Sequence, residues 1–329
     1  MQELELSEFE ALAARFDDAV VATEGVDHYC SSSHWILPAL RAFHPDHEPW
    51  LYRGLDGKSW AAMALGNSPA VGRFVAPLES MWGLSSPFVG EDEEAVALQV
   101  AALLRAREKD WDALWLSGIR RPSWVFDTLV RSFGARYRLG LGPTTKRHVA
   151  SLDGGWDGYL SRRRSSFRRN LRRSERMADA AGITFQRHTT TRDTRAVMEL
   201  FDRVLAVERR SWKGMSGQGI DTGAMVDFYR EMLPDLARRG RFRAVFAKDP
   251  VGNDVGFVFG AVFAGTFRGL QVSFDDGFRP MSLGNVMQAQ MIRLLCEEGV
   301  GYYDLGSDLP YKTRWAEPGL ITVTVAVLP

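Results

Sequence analysis

Residues 267–298 read FRGLQVSFDDGFRPMSLGNVMQAQMIRLLCEE, and the hydrophobic period changes partway along. Phe267–Phe274 has the composition of a strand. A polar elbow follows with Asp275, Asp276, Gly277 and Arg279. From Ser282 on, Val286, Met287, Gln290, Met291, Leu294 and Leu295 recur at i, i+3 and i+4, the mark of a helix with one buried face. A strand delivered straight into such a helix places this chain in the α/β class. Ser282 is the expected N-cap, and Leu283, Gly284 and Asn285 would form the first turn. A helix start leaves N–H groups unpaired and its dipole favours negative charge. Gly284 would let a phosphate approach the main chain, and Arg279 would add a cation. The same residues also suit a helix that is merely capped.

The chain has 329 residues, more than one hydrophobic core comfortably serves, so two domains are expected, 1–150 and 151–329. Its 45% apolar content is that of a globular protein. No apolar run reaches the length of a membrane span, and the acidic start MQELELSEFE is unlike a signal peptide, so a cytoplasmic protein is expected. Cys30 and Cys296 make no ligand cluster or disulfide framework. The histidines at 28, 34, 44, 47, 148 and 188 form no metal-binding pair, so no metal is expected. Net charge is zero but uneven. The first 150 residues carry 15 basic and 20 acidic side chains, the rest 26 and 21, which gives the second half a bias toward anionic ligands.

In order, residues 7–22 read as a helix with Ser7 and Glu10 as a capping box. A short helix over 33–43 follows, then strands at 49–52, 60–65 and 71–76, a loop containing Glu79 and Trp82, and a helix over 91–108. Strand 111–117, helix 123–133 and strand 135–141 complete the first half. Residues 161–181, SRRRSSFRRNLRRSERMADAA, put Phe167, Leu171, Ser174, Ala178 and Ala181 on one stripe, with eight arginines on the remainder and Gly182 as the stop. Three readings fit this helix: a solvated face, a contact for donor phosphates or an acidic carrier, or an RNA surface with few aromatics for stacking. Strand 183–188 and helix 193–210 follow. Glu208 falls near the C-terminal end of that helix, where the dipole disfavours a carboxylate, so it needs a partner such as Arg209, Arg210 or Lys213, or a role in chemistry. Helix 221–239 and an antiparallel meander of 242–248, 255–263 and 267–274 lead back to the elbow.

The order E-x-x-S-W-K-G (Glu208 to Gly214), strand–FDDGF–SLGN–helix, YDLG (Tyr303 to Gly306) and YK-x-x-W (Tyr311 to Trp315) resembles the GNAT acyltransferase superfamily. It is most similar to the cellulose-biosynthesis-associated acetyltransferases, relatives of the Fem-type aminoacyl transferases. The likeness covers residues 150–329 well and the first half faintly. Element order alone suggests two tandem GNAT-like domains, each a mixed, mainly antiparallel sheet flanked by helices, the first without a comparable cradle.

The resemblance implies acyl transfer from a thioester, acyl-coenzyme A or an acyl carrier protein, to an amine of a peptide, sugar or small metabolite. Leu283, Gly284, Asn285 and Arg279 would hold the diphosphate. The pantetheine arm would lie between the strand ending at Val272, Ser273 and Phe274 and the strand at 302–305, with an oxyanion donor near Gln271–Ser273. Asp275 or Glu208 would take the amine's proton, with Asp304 a third possibility. Tyr311 would protonate the leaving thiolate, and Lys312 would bind a phosphate or carboxylate. Trp212, Lys213, Trp315 and Trp82 would line the acceptor side, and Val272, Phe274 and Trp212 would wall an acyl channel. The chain departs from the family's R/Q-x-x-G-x-G/A pattern: Arg279-Pro280-Met281-Ser282-Leu283-Gly284 lacks the first glycine. A Fem-type transferase using charged tRNA, and a non-catalytic binder on a degenerate fold, are the alternatives.

Overall fold

The computed structural model describes residues 1–189 and 192–328. The chain forms two compact units, residues 1–146 with 320–329, and residues 147–319. Residues 320–328 therefore return to the first unit.

Unit 1 begins with β1 (Gln2–Leu4), α1 (Leu6–Ala11) and α2 (Ala13–Ala22). The single helix expected over 7–22 is broken at Leu12, and its capping box uses Glu5 and Glu8 instead of Ser7 and Glu10. Then come α3 (His28–Ser31), α4 (Ser33–Phe43), β2 (Glu48–Arg53), β3 (Trp60–Ser68), β4 (Gly72–Pro77), β5 (Phe88–Val89), α5 (Glu93–Ala106), β6 (Ala113–Arg120), α6 (Trp124–Phe133) and β7 (Arg138–Ser151). The sheet order is β1-β2-β3-β4-β6, closed by the chain's final strand, with β5 paired to β3. All neighbours are antiparallel except β4 and β6, which pair in parallel at Phe74–Ala113 and Val75–Leu114. Trp50, Met63, Val75, Val100, Leu114, Leu129 and Val325 meet in one core.

Unit 2 holds α7 (Gly155–Ser161), α8 (Ser165–Ala180), β8 (Thr184–His188), α9 (Thr194–Glu208), α10 (Trp212–Met215), α11 (Ala224–Arg238), β9 (Phe242–Lys248), β10 (Asp254–Phe263), β11 (Thr266–Phe274), a 3₁₀ turn over Asp276–Met281, α12 (Leu283–Glu297) and β12 (Tyr302–Ser307). A second 3₁₀ turn, Lys312–Arg314, precedes β13 (Glu317–Leu328), the strand that closes the sheet of unit 1. The sheet of unit 2 runs β7-β12-β11-β10-β9-β8, again antiparallel except for one pair, β11 with β12. Both units are thus mixed, mainly antiparallel sheets flanked by helices.

Strand β10 is apolar on both faces, as a central strand must be. Pleating sends Val258 to the cluster formed with α7, α8 and α12, and sends Phe259 to Phe201 of α9 and Tyr229 of α11. Helix α12 buries Val286, Met287, Met291, Leu294 and Leu295, each worth about 2 kcal/mol on burial. Gln288 is buried as well, its amide oxygen accepting from the Tyr303 hydroxyl, while the expected inward residue Gln290 sits at the margin. Gly256 lets helix and sheet close up, because a Cβ there would lie 2.6 Å from the Met287 sulfur.

Candidate active site

The site begins with an incomplete strand pair. Strands β11 and β12 pair only at Thr266–Tyr302, Phe267–Tyr303 and Arg268–Asp304, and then part. The remaining two-thirds of β11, Gly269 to Phe274, has β10 on one side and an edge unpaired by β12 on the other. A bulge opposite Phe259–Gly260 leaves Leu270 out of register with β10. At the fork, Gly269 makes room for Tyr303, whose ring carbon would lie 2.8 Å from a Cβ. A buried ion pair holds the fork: Arg268 Nη1 donates to Asp304 Oδ2 at 2.7 Å, and Asp304 Oδ1 accepts the Gly306 N–H at 2.6 Å. Each carboxylate oxygen of Asp304 thus has a partner within the fork.

The E-x-x-S-W-K-G stretch resolves into a buried relay on the α9 face. Glu208 is wholly buried and accepts from the Ser211 hydroxyl at 3.1 Å and the Ile220 N–H at 3.3 Å. Ser211 caps α10 through Gly214 N, and a Cβ on Gly214 would lie 2.1 Å from the Glu208 carbonyl oxygen. This turn sends Lys213 inward and leaves Trp212 half exposed. Lys213 Nζ lies 3.4 Å from Glu208 and donates to Gln271 Oε1 at 3.1 Å and to the Val272 carbonyl at 3.2 Å. Gln271 in turn donates to the Tyr229 hydroxyl at 3.2 Å. Burial draws the Lys213 ammonium below its usual range, and Glu208 opposes that pull. Of the partners open to Glu208, the structure selects Lys213. Beside this relay the Ser273 hydroxyl is buried and, among the described residues, has no hydrogen-bond partner.

At the far end of β11, Asp275 pairs with Arg210 at 2.8 Å and accepts the Gly277 N–H at 3.0 Å. Arg210 also donates to the Asp254 carbonyl and accepts from Asp276 N through its own carbonyl, so it fastens the elbow. The elbow is a 3₁₀ turn rather than a loop. Arg279 is folded back on Asp276 at 2.9 Å, so its charge is locally matched and not offered to the helix start as expected.

The expectation for Ser282 needs a larger correction. It holds the N-cap position, but its backbone is left-handed (φ 53°, ψ 43°) and its side chain makes no capping bond. A non-glycine residue there costs about 1 kcal/mol. Asn285 N–H turns back to the Ser282 carbonyl at 2.9 Å, no acid lies in the first turn, and Leu283 is buried. The helix start is left uncapped by its own side chains. Gly284 faces the Phe274 ring, 3.1 Å from where a Cβ would be, so its glycine serves the close approach of α12 to β11.

On the β12 side, Lys312 is buried and donates to the Ser307 carbonyl at 2.7 Å. Burial and the neighbouring Arg268 pull its pKa down to about 8. Tyr311 keeps part of its ring in solvent (44% exposed), and its surroundings raise the phenol above its ordinary value. His148 reaches Asp308 at 2.7 Å. Trp315 is buried edge-on against Phe167, with its carbonyl accepting from Tyr159, and serves the core instead of a substrate wall. Val272 and Phe274 pack into the α12 cluster, while Trp212 is half exposed. Trp82 belongs to unit 1 and packs on Trp35 and Phe43. Sequence reasoning missed the Arg268–Asp304 clasp, since no local pattern reveals it.

A parted parallel pair with an uncapped helix start after the first strand is an arrangement that invites comparison with known folds. Residues 165–313 match the family model of the acetyltransferase (GNAT) domain. The GNAT match therefore takes in α8, the parted strands, α12 and Tyr311. FemX superposes with a TM-score of 0.64 at 12% identity, over 98% of this chain and 97% of that one. L-PGS from Bacillus licheniformis gives 0.59 at 12% identity, over 99% and 93%. A tandem GNAT protein from the clavulanic acid biosynthesis pathway gives 0.50 at 15%, over 98% and 96%. At these identities the likeness is one of fold, here tandem GNAT-like layers. No curated protein matches the sequence. Among the described residues no cluster of ligands suits a metal ion, and no helix is long and apolar enough to cross a membrane.

Proposed function

We propose that unit 2 is an N-acyltransferase that moves an acyl group from acyl-coenzyme A, or a carrier-bound thioester, to an amine, within the cellulose-biosynthesis-associated branch. The observation that carries this reading is the parting of β11 from β12 beyond Arg268 and Asp304. An open strand edge of this kind offers main-chain groups to an extended pantetheine arm, as a sheet edge does to an added strand. The first-turn amides of α12, at Leu283 and Gly284, would take a phosphate.

The amine attacks the thioester carbonyl, its C–N bond forming as the carbonyl π electrons move to oxygen. We assign stabilisation of that oxygen to the edge of β11 between Gln271 and Ser273, where Ser273 has a hydroxyl to offer. Collapse expels the thiolate, which takes the Tyr311 phenolic proton. The ammonium proton leaves through Asp275 or a water that it holds. Glu208 acts at one remove: it fixes Lys213, and Lys213 fixes the carbonyl of Val272. Lys312, in its protonated form, would meet an anionic group of the donor or acceptor. Unit 1 is assigned no donor.

A charged tRNA is the alternative donor, favoured by the fold likeness to FemX. A thermal-shift series with acetyl-, medium- and long-chain acyl-coenzyme A tests the reading. A donor present at one hundred times its Kd stabilises by about 2.7 kcal/mol. Absence of any shift across the series, with a shift on adding charged tRNA, would replace acyl-coenzyme A by the alternative.

A further inference from the structure

The exposed arginines along α8 are not used by the site above. Arg169, Arg172, Arg173 and Arg176 are exposed and follow one another at i, i+3, i+4 and i+7. At about 100° per residue they form a single row opposite the buried stripe of Leu171, Ser174 and Ala178. Among the described residues no acid pairs with these four arginines, and the neighbouring Glu175 is taken by Arg293 at 2.6 Å. Like charges at these spacings destabilise a helix, and arginines at its N-terminal side, where Arg164 stands, oppose the dipole. The first turn has no acid and the last turn no base, the reverse of a self-stabilised helix. The fold tolerates this charge without compensating it. An external anion is what the row lacks.

Helix α8 packs beside α12 and the 3₁₀ elbow through its buried stripe, which leaves the row on the outer face of the same layer. A free nucleotide would be held at the elbow alone and would leave a row about 10 Å long unused. An RNA duplex or stem calls for cations spread over a wider face, and stacking aromatics are absent from the row. One straight row of guanidiniums at helical pitch complements one row of carboxylates at the same pitch.

We propose that the α8 row docks the acidic helix of an acyl carrier protein, which delivers its thioester arm to the β11 edge. This rests on the acyl-transfer reading and names its partner. The experiment measures binding of holo acyl carrier protein, carrying its phosphopantetheine thiol, to the full chain by surface plasmon resonance at low and physiological salt. The expected result is binding that weakens with salt, is reduced about tenfold in R172E/R173E and is largely kept in R172K/R173K. The acyl-coenzyme A thermal shift should be unchanged in every variant. Circular dichroism checks folding, and R172Q/R173Q replaces the charge reversal if that variant unfolds. No carrier binding, or binding indifferent to R172E/R173E, overturns the proposal. In either case an intact acyl-coenzyme A shift leaves the acyl-transfer reading standing, and its absence removes both. Binding of tRNA to the row in place of the carrier also overturns it.

Discussion

The two units contain the same fork, a single parallel strand pair with a helix between its strands, and treat it in opposite ways. In unit 1, β4 and β6 pair at two positions only, and the chain fills the space beyond. Glu79 is buried there and accepts the N–H groups of Trp82, Leu84 and Ser85, at 2.6, 3.2 and 3.3 Å. Gly118, at φ 72°, lets β6 press against this loop, since a Cβ would lie 2.1 Å from the Ser85 carbonyl oxygen. The connecting helix α5 is capped by its own carboxylate, Asp92 accepting from Ala95 N, with Glu93 and Glu94 in its first turn. An incoming phosphate would meet three acids. In unit 2 the edge of β11 beyond the fork is not paired by β12, and the start of α12 has neither acid nor side-chain cap. The lesson is that one layer can be made a scaffold or a site by what its own loop and cap residues satisfy.

The sharpest way to break the contrast is to empty the fork of unit 1. Glu79→Ala leaves three N–H groups, two of them buried, without their acceptor and should cost about 4 kcal/mol in chemical denaturation while leaving the acyl-coenzyme A thermal shift intact. A neutral result would mean the loop does not fill the fork. Next, Tyr311→Phe should lower kcat about a hundredfold, near 2.7 kcal/mol, with little change in KM. A change confined to KM would make the phenol a binding group. Third, Gly284→Val places a branched side chain on Phe274 and should raise donor KM about tenfold. Its counterpart in unit 1, Asp92→Ala, should cost about 1 kcal/mol of stability and leave KM unchanged.

The smallest effect expected is in pH dependence. Lys312 has a folded-state pKa of about 8, below its ordinary 10.5. The unfolded chain binds more protons between those values, so this residue's contribution makes stability rise with pH across that window. If its ammonium meets a donor or acceptor anion, KM for that substrate should climb as pH passes about 8, and Lys312→Arg should remove the climb. A flat profile in the wild type would detach Lys312 from binding.

Much of this was legible locally. The strand, elbow and helix at 267–298, the meander before them and the arginine row of α8 all follow from period and composition, because those report burial along a single element. Glu208 could be flagged as an acid at the wrong helix end, but not matched to Lys213 over Arg209 or Arg210. That choice depends on the turn made by Ser211 and Gly214. Ser282 read as an ordinary cap because Ser usually caps; its left-handed backbone follows from the 3₁₀ elbow, which local preference does not encode. The break at Leu12 was lost for the same reason.

By itself the sequence determined most of the longer strands and helices, where the α12 helix begins and where positive charge gathers. Periodicity and capping are properties of neighbours in the chain, so a single string of residues carries them. Only the tertiary structure decided that β11 and β12 part after Arg268 and Asp304, that one fork is filled and the other is not, and that Trp315 is core. Those outcomes depend on which distant groups satisfy each other's hydrogen bonds and volume once packed.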